Sequence, residues 1–112
     1  MEVEALREGL WRWTVAGRSA IYYEESAAII LIDPVLPSEP IELARLWRAL
    51  DRDVARRALP LCPLWCGEAD AAVRRALGER YALIDSVDGV ERTADGWRIV
   101  EHDMTVRAVV AE

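Results

Sequence analysis

The chain has 112 residues, with 20 acidic and 14 basic side chains and a formal net charge of −6. This length favours one domain over residues 1–112, and a hydrophobic fraction of 53% excludes an intrinsically disordered chain. No apolar run reaches the roughly 18 residues that a membrane span needs. The acidic excess, with no basic run longer than two residues, argues against nucleic-acid binding. We expect a soluble protein with neither nucleic acid nor membrane as a partner.

The first seven residues alternate acidic and apolar side chains and lack the basic and apolar regions of a signal peptide, so we expect a cytoplasmic protein. The next third predicts a three-stranded antiparallel meander. Residues 10–15 and 20–24 alternate with the period of a strand, and turn signals follow each of them. Residues 27–32 form a continuous apolar run, which is typical of a strand covered on both faces.

Two amphipathic helices are predicted next. The first helix is predicted to begin after a cap at Ser38 or Glu39, and it carries apolar residues at helical spacing up to Val54. The second is predicted to open at Gly67 and to stop at Gly78. Between the helices, residues 59–64 read as a short strand, and its two prolines favour a position at a sheet edge.

Further strands are predicted at residues 81–84, in a hairpin of residues 90–93 and 97–100, and at residues 104–110. The fold class is therefore α+β (mixed α/β), with an N-terminal antiparallel meander, two amphipathic helices and further strands. Two helices cover only one face of a sheet. The other face of residues 27–32 must therefore meet a second sheet, formed by the C-terminal strands or by another chain.

Residues 9–13, 21–23 and 29–34, followed by the helix segment 46–50, resemble the start of metallo-β-lactamase-fold hydrolases. The resemblance covers about residues 1–80 and implies half of an αββα sandwich. The family's zinc-binding His-x-His-x-Asp-His motif would fall at residues 61–70, which contain no histidine. Only Asp33, at a strand end below the family's metal site, carries over. The resemblance therefore implies a truncated or degenerate N-terminal half without the family's hydrolase chemistry.

A metal site is the first alternative to that interpretation. The candidate ligands are Cys62, Cys66, Glu68 and Asp70, with Asp33 at a neighbouring strand end, because zinc binds thiolates and carboxylates. Their spacing matches no established zinc pattern. The competing interpretation is that the cysteines pack as small hydrophobic residues and that Glu68 and Asp70 favour the first turn of the second helix. We expect no cofactor, with zinc as the alternative.

Nucleophilic chemistry requires His102, the single histidine of the chain. Cys66 at a helix N-terminus could be an activated nucleophile, provided that His102 approaches it in space. His102 and Asp103 are adjacent in sequence and would point to opposite faces of a strand, so a surface turn is the competing interpretation. The catalytic candidates are thus Asp33, Cys66, Asp70 and His102.

Five tryptophans are many for this length, and tryptophan is favoured both in cores and at interfaces. Trp11 and Trp13 share a strand face and suit a core, whereas Trp65 and Trp97 lie beside turns and are the interface candidates. Three hypotheses follow. The first is a non-catalytic metallo-β-lactamase-like domain acting through protein association, as a homodimer or accessory subunit. The others are a metal-dependent hydrolase with an altered site and a small-molecule binding module with a Trp-lined pocket.

Overall fold

A computed structural model describes residues 1–107 of the chain. Within them, two helices and eight strands build an α+β fold, which confirms the predicted class. The elements in chain order are β1 (Glu2–Arg7), β2 (Leu10–Val15), β3 (Arg18–Glu24), β4 (Ile29–Ile32), α1 (Pro40–Arg57), β5 (Leu61–Leu64), α2 (Ala71–Gly78), β6 (Val90–Arg92), β7 (Gly96–Ile99) and β8 (Met104–Arg107).

The larger sheet has five strands in the order β1-β2-β3-β4-β5. Its first four strands are antiparallel, so the meander has four strands rather than the predicted three, because residues 2–7 form β1. β5 runs parallel to β4 at the opposite edge, as its prolines suggested. The strand predicted at residues 81–84 is wrong: that segment makes only a single bridge, between Leu83 and Leu61.

Both faces of β4 are covered, and each cover comes from this chain. Ile29 and Leu31 pack in the cluster under the helices, while Ile30 and Ile32 pack in the cluster under the second sheet. All four side chains are at most 1% exposed. That second sheet is β6-β7-β8. The molecule therefore has three layers, in the order helices, five-stranded sheet, three-stranded sheet.

The second helix starts later than predicted. The carboxylate of Asp70 accepts hydrogen bonds from the backbone N–H groups of Ala72 (3.1 Å) and Val73 (3.2 Å), and α2 begins at Ala71. Gly67 therefore does not open the helix, and Glu68 lies in the preceding loop rather than in the first turn. The physical reason is that a side-chain oxygen satisfies the first free N–H groups of a helix better than a glycine can.

The C-terminal strands form the predicted hairpin, since β6 and β7 pair across residues 93–95. The last strand was predicted at residues 104–110. The structure shows β8 over Met104–Arg107, and residues 108–110 lie outside the described residues. Neither of the helices in the described part is long and apolar enough to cross a membrane.

Candidate functional site

Asp33 and Cys66 meet where the parallel strands β4 and β5 end. The Asp33 N–H donates to the Leu64 carbonyl (2.8 Å), and Asp33 Oδ1 accepts from the Cys66 N–H (2.9 Å). Asp33 adopts a left-handed backbone conformation (φ 53°), which aspartate tolerates better than most residues. The structure therefore brings Asp33 and Cys66 together. The Asp33 carboxylate is already engaged, because it binds the backbone just after β5.

Both cysteines are buried, free thiols. Burial, followed by the hydrogen bond and the negative charge of Asp33, raises the pKa of the Cys66 thiol to about 12. Burial and the charge of Asp85 raise the pKa of Cys62 to about 11. The Cys66 thiol donates to the Val106 carbonyl (3.6 Å). Both groups are therefore neutral near pH 7, whereas a nucleophile or a metal ligand needs the thiolate.

The acidic metal candidates separate. Glu68 is exposed in the loop after Cys66, and Asp70 caps α2. Across residues 1–107, no three His, Cys, Asp or Glu side chains are grouped so that they could hold a metal ion.

His102 lies in the turn between β7 and β8. Its ring stacks edge-on against Tyr23, with ring centroids 5.5 Å apart. The neighbouring Asp103 does not orient it, because that carboxylate pairs with Arg98 at 2.9 Å. Tyr23 itself donates to Glu101 (2.6 Å). In the described part of the chain, no hydrogen bond joins His102 to Cys66 or Asp33.

The interface candidates Trp65 and Trp97 contact each other. Trp97 Nε1 donates to the Trp65 carbonyl (3.0 Å), and Arg92 donates to the carbonyls of Trp65 (2.8 Å) and Cys66 (2.9 Å). The guanidinium of Arg92 also lies over the Trp97 ring, 5.2 Å from its centroid. Both tryptophans are half-buried, and they lie in the contact between the second sheet and the end of β5.

A pocket lined by Trp11 and Trp13 lies between α1 and the helix-side face of β1–β3, and neither Trp65 nor Trp97 lines it. We call it the aromatic pocket; its volume is about 240 Å³. Its apolar lining comes from strand aromatics and from helix residues, and charged side chains of β3 and α1 form its rim. The lining residues are Met1, Val3, Trp11, Trp13, Tyr22, Glu24, Leu46, Ala49, Leu50, Arg52, Asp53 and Arg56. Trp13 is held in place by its Nε1 hydrogen bond to the Val35 carbonyl (3.0 Å).

The charges on the rim neutralise one another. Arg56 pairs with Glu24 (3.0 Å) and with Asp53 (3.4 Å), and Arg57 pairs with Glu24 (3.2 Å). The Tyr22 hydroxyl donates to Asp53 (2.9 Å), and burial, followed by this hydrogen bond, raises the pKa of Tyr22 well above its usual value. The pocket therefore suits an apolar occupant better than a charged one. A second cleft of about 880 Å³ shares Trp11, Glu24 and Arg56 with it and extends to His102.

The aromatic pocket opens beside a free sheet edge. Within residues 1–107, β1 pairs with β2 alone, so its outer edge carries no neighbouring strand. Val3 lies opposite Trp13 and shares its face, and its side chain is 64% exposed. Our sequence reasoning missed this strand, although the alternation of acidic and apolar residues over residues 2–5 has the period of a strand.

Comparisons with protein-family models, with curated proteins and with solved structures found no match for the chain.

Proposed function

We propose that the chain is a non-catalytic protein-binding domain of the metallo-β-lactamase-like type. It would accept an extended segment of a partner protein along the open edge of β1. One apolar side chain of that segment would enter the aromatic pocket. The observation that carries this proposal is the free edge of β1 next to that pocket.

An edge strand presents unpaired N–H and C=O groups, which another strand can satisfy. In this mode of recognition the main-chain hydrogen bonds supply affinity, and a pocket for alternate side chains supplies specificity. An added strand would lie roughly 4.8 Å beyond β1. A residue opposite Val3 would therefore project from the helix-side face at the border of the pocket. Its diagonal neighbours on β1 would be Met1 and Ala5, about 7–8 Å away, and Met1 and Val3 line the pocket.

The size of the pocket supports one side chain as its occupant. An apolar cavity of roughly 150 Å³ accepts a benzene molecule, and the aromatic pocket measures about 240 Å³. A phenylalanine, leucine or methionine side chain fits this volume. The Trp11 and Tyr22 rings stand edge-to-face with centroids 5.3 Å apart, so they offer a preformed aromatic surface to it.

In this proposal the residues predicted for a metal or catalytic site have structural roles instead. Asp33 binds a backbone N–H, Asp70 caps α2, and the buried thiol of Cys66 packs under β8. No cofactor takes part. Free thiols suit a reducing compartment, so we place the association in the cytoplasm.

A second candidate function is supported by the same pocket. A small apolar molecule of one ring with substituents would fill about 240 Å³ without any strand. The two functions differ at β1, because a small molecule in the pocket leaves the backbone edge free.

The test uses a neutral synthetic peptide of alternating threonine and valine with one central phenylalanine. Amide hydrogen exchange is followed on the chain alone and with the peptide. We expect the outward-facing amides of β1 to gain protection and those of β8 to remain unchanged. We expect Trp11→Ala to weaken binding by about tenfold, since a buried aromatic contact is worth roughly 1–2 kcal/mol.

The matched control is Trp47→Ala, because Trp47 lies on α1 outside the pocket, under Arg80. It should bind the peptide as the unmodified chain does. Equal losses in the two variants, or no protection of β1 at saturating peptide, would overturn the proposal. Tight binding of free indole with β1 amides unchanged would favour the small-molecule function instead.

A further inference from the structure

Resting on the proposed function, we infer that the partner strand carries basic residues alternating with apolar ones, and that it belongs to a different protein rather than to a second copy of this chain. The inference comes from the two faces of β1, which differ in chemistry at the open edge.

The face of β1 turned away from the helices is acidic. Glu2 lies opposite Thr14 and Glu4 lies opposite Arg12, and both glutamates are exposed. Arg12 pairs with Glu4. In the described part of the chain, Glu2 forms no ion pair. A strand added at the outer edge would place its own side chains directly opposite these carboxylates, where opposite charges stabilise pairing.

The other face of β1 is apolar. Val3 and Ala5 lie opposite Trp13 and Trp11, on the side of the aromatic pocket. Partner residues opposite them should therefore be apolar. The regular ladder ends at a register shift between Ala5 and Arg7, so the acidic and apolar faces are defined over residues 2–5. The complementary segment is correspondingly short and has the strand period of two.

Pairing of two copies is disfavoured by the same charges. A two-fold axis through the sheet would pair the β1 strands antiparallel, with residues on like faces opposite each other. If Val3 meets Val3 of the second copy, Glu2 faces Glu4. If Val3 meets Ala5, Glu4 faces Glu4. Like charges directly opposite one another destabilise a sheet, and such residues at an edge protect proteins from edge-to-edge association.

The net charge of −6 acts in the same direction. A chain of this charge attracts a basic segment and repels its own copies, and both effects weaken as salt is added. Binding of the basic partner should therefore be salt-dependent.

The experiment compares two peptides of equal length, one alternating arginine and valine and one alternating glutamate and valine. Each has one central phenylalanine. Affinity is measured by fluorescence anisotropy at low and high salt, and hydrogen exchange identifies the binding edge. We expect the basic peptide to bind about tenfold more tightly than the acidic one, with protection of β1 amides.

The decisive variant is Glu2→Lys with Glu4→Lys, which should reverse the preference. Its control is Glu68→Lys with Glu79→Lys, two exposed positions outside the pocket that change the net charge equally. The control should keep the preference for the basic peptide. If both double variants behave alike, only the overall charge attracts the peptide, and the inference is wrong.

Two outcomes separate this inference from the function on which it depends. If the acidic, basic and neutral peptides all protect β1 equally, the strand-addition function stands and the charge inference fails. If none of them protects β1, the function itself fails. Concentration-dependent dimerisation with protection of β1 in the chain alone would identify a second copy as the occupant and would overturn the inference.

Discussion

The substitution Gly96→Ala tests whether the second sheet is held as the structure shows. A Cβ atom at Gly96 would lie 1.8 Å from the Val106 carbonyl oxygen, although real contacts stay above 3.0 Å. The backbones of β7 and β8 would have to separate by at least 1.2 Å at that point. Forced overpacking costs about 1–3 kcal/mol, and each ladder hydrogen bond lost adds about 1 kcal/mol. We expect a loss of about 3 kcal/mol in the free energy of unfolding, measured by urea denaturation.

The matched control is Gly67→Ala. Nothing lies within 4 Å of a Cβ at Gly67, so the change should stay within about 0.5 kcal/mol of the unmodified chain. Equal stability of the two variants would refute the close approach of β8 to Gly96.

Three further predictions concern the candidate site. Cys62 and Cys66 should resist a disulfide reagent in the folded protein and react at once in denaturant. Because folding raises the pKa of both thiols from 9.0, their contribution to stability is complete below pH 9. This contribution should be lost as the pH rises towards 11 for Cys62 and towards 12 for Cys66. The loss is up to about 1.4 kcal/mol per pH unit for each thiol. A denaturation midpoint that is flat from pH 8 to about 11 would contradict this. Asp70→Ala should cost about 1 kcal/mol in urea denaturation through loss of the helix cap, and a neutral result would deny it that role. Arg92→Ala should cost roughly 2 kcal/mol in the same assay, because the carbonyls of Trp65 and Cys66 lose their charged donor. An unchanged midpoint would mean that the contact between the second sheet and the end of β5 does not depend on Arg92.

Most elements could be predicted because their patterns are unambiguous. The apolar run ending at Ile32 requires cover on both faces, and the structure provides it. The start of α2 could not be placed from Gly67, since a glycine there and a capping aspartate at position 70 are both plausible helix signals. Only the geometry shows that Asp70 binds the first N–H groups.

β1 was missed for a different physical reason. Its residues are almost all exposed, so burial imposes no apolar run, and the strand depends mainly on pairing with β2. Alternating glutamates at an N-terminus are equally compatible with a solvated tail. The period of two over residues 2–5 is therefore a signal that becomes decisive only once the pairing with β2 is seen.

The candidate site was predicted in part. Parallel strands end at the same edge of a sheet, which is why Asp33 could be expected near Cys66, and the two do meet. The metal-binding or nucleophilic chemistry predicted for these residues does not follow, because position along a strand does not reveal which side-chain atoms already have hydrogen-bond partners. The Asp33 carboxylate is occupied by a backbone N–H, and the Cys66 thiol lies under β8. A pattern of residue types cannot show either fact.

The three layers also change the physical argument for a partner. The sequence left open whether the C-terminal strands or another chain would cover the second face of β4, and the chain covers both faces itself. Within residues 1–107, the outer N–H and C=O groups of β1 have no partner strand, and they lie beside the exposed Val3 and the aromatic pocket. Burying a face requires a large apolar interface, whereas completing an edge requires only a short extended segment. If the proposed strand addition is correct, association of this chain is modest in area, directional along the strand and sensitive to the charges at Glu2 and Glu4.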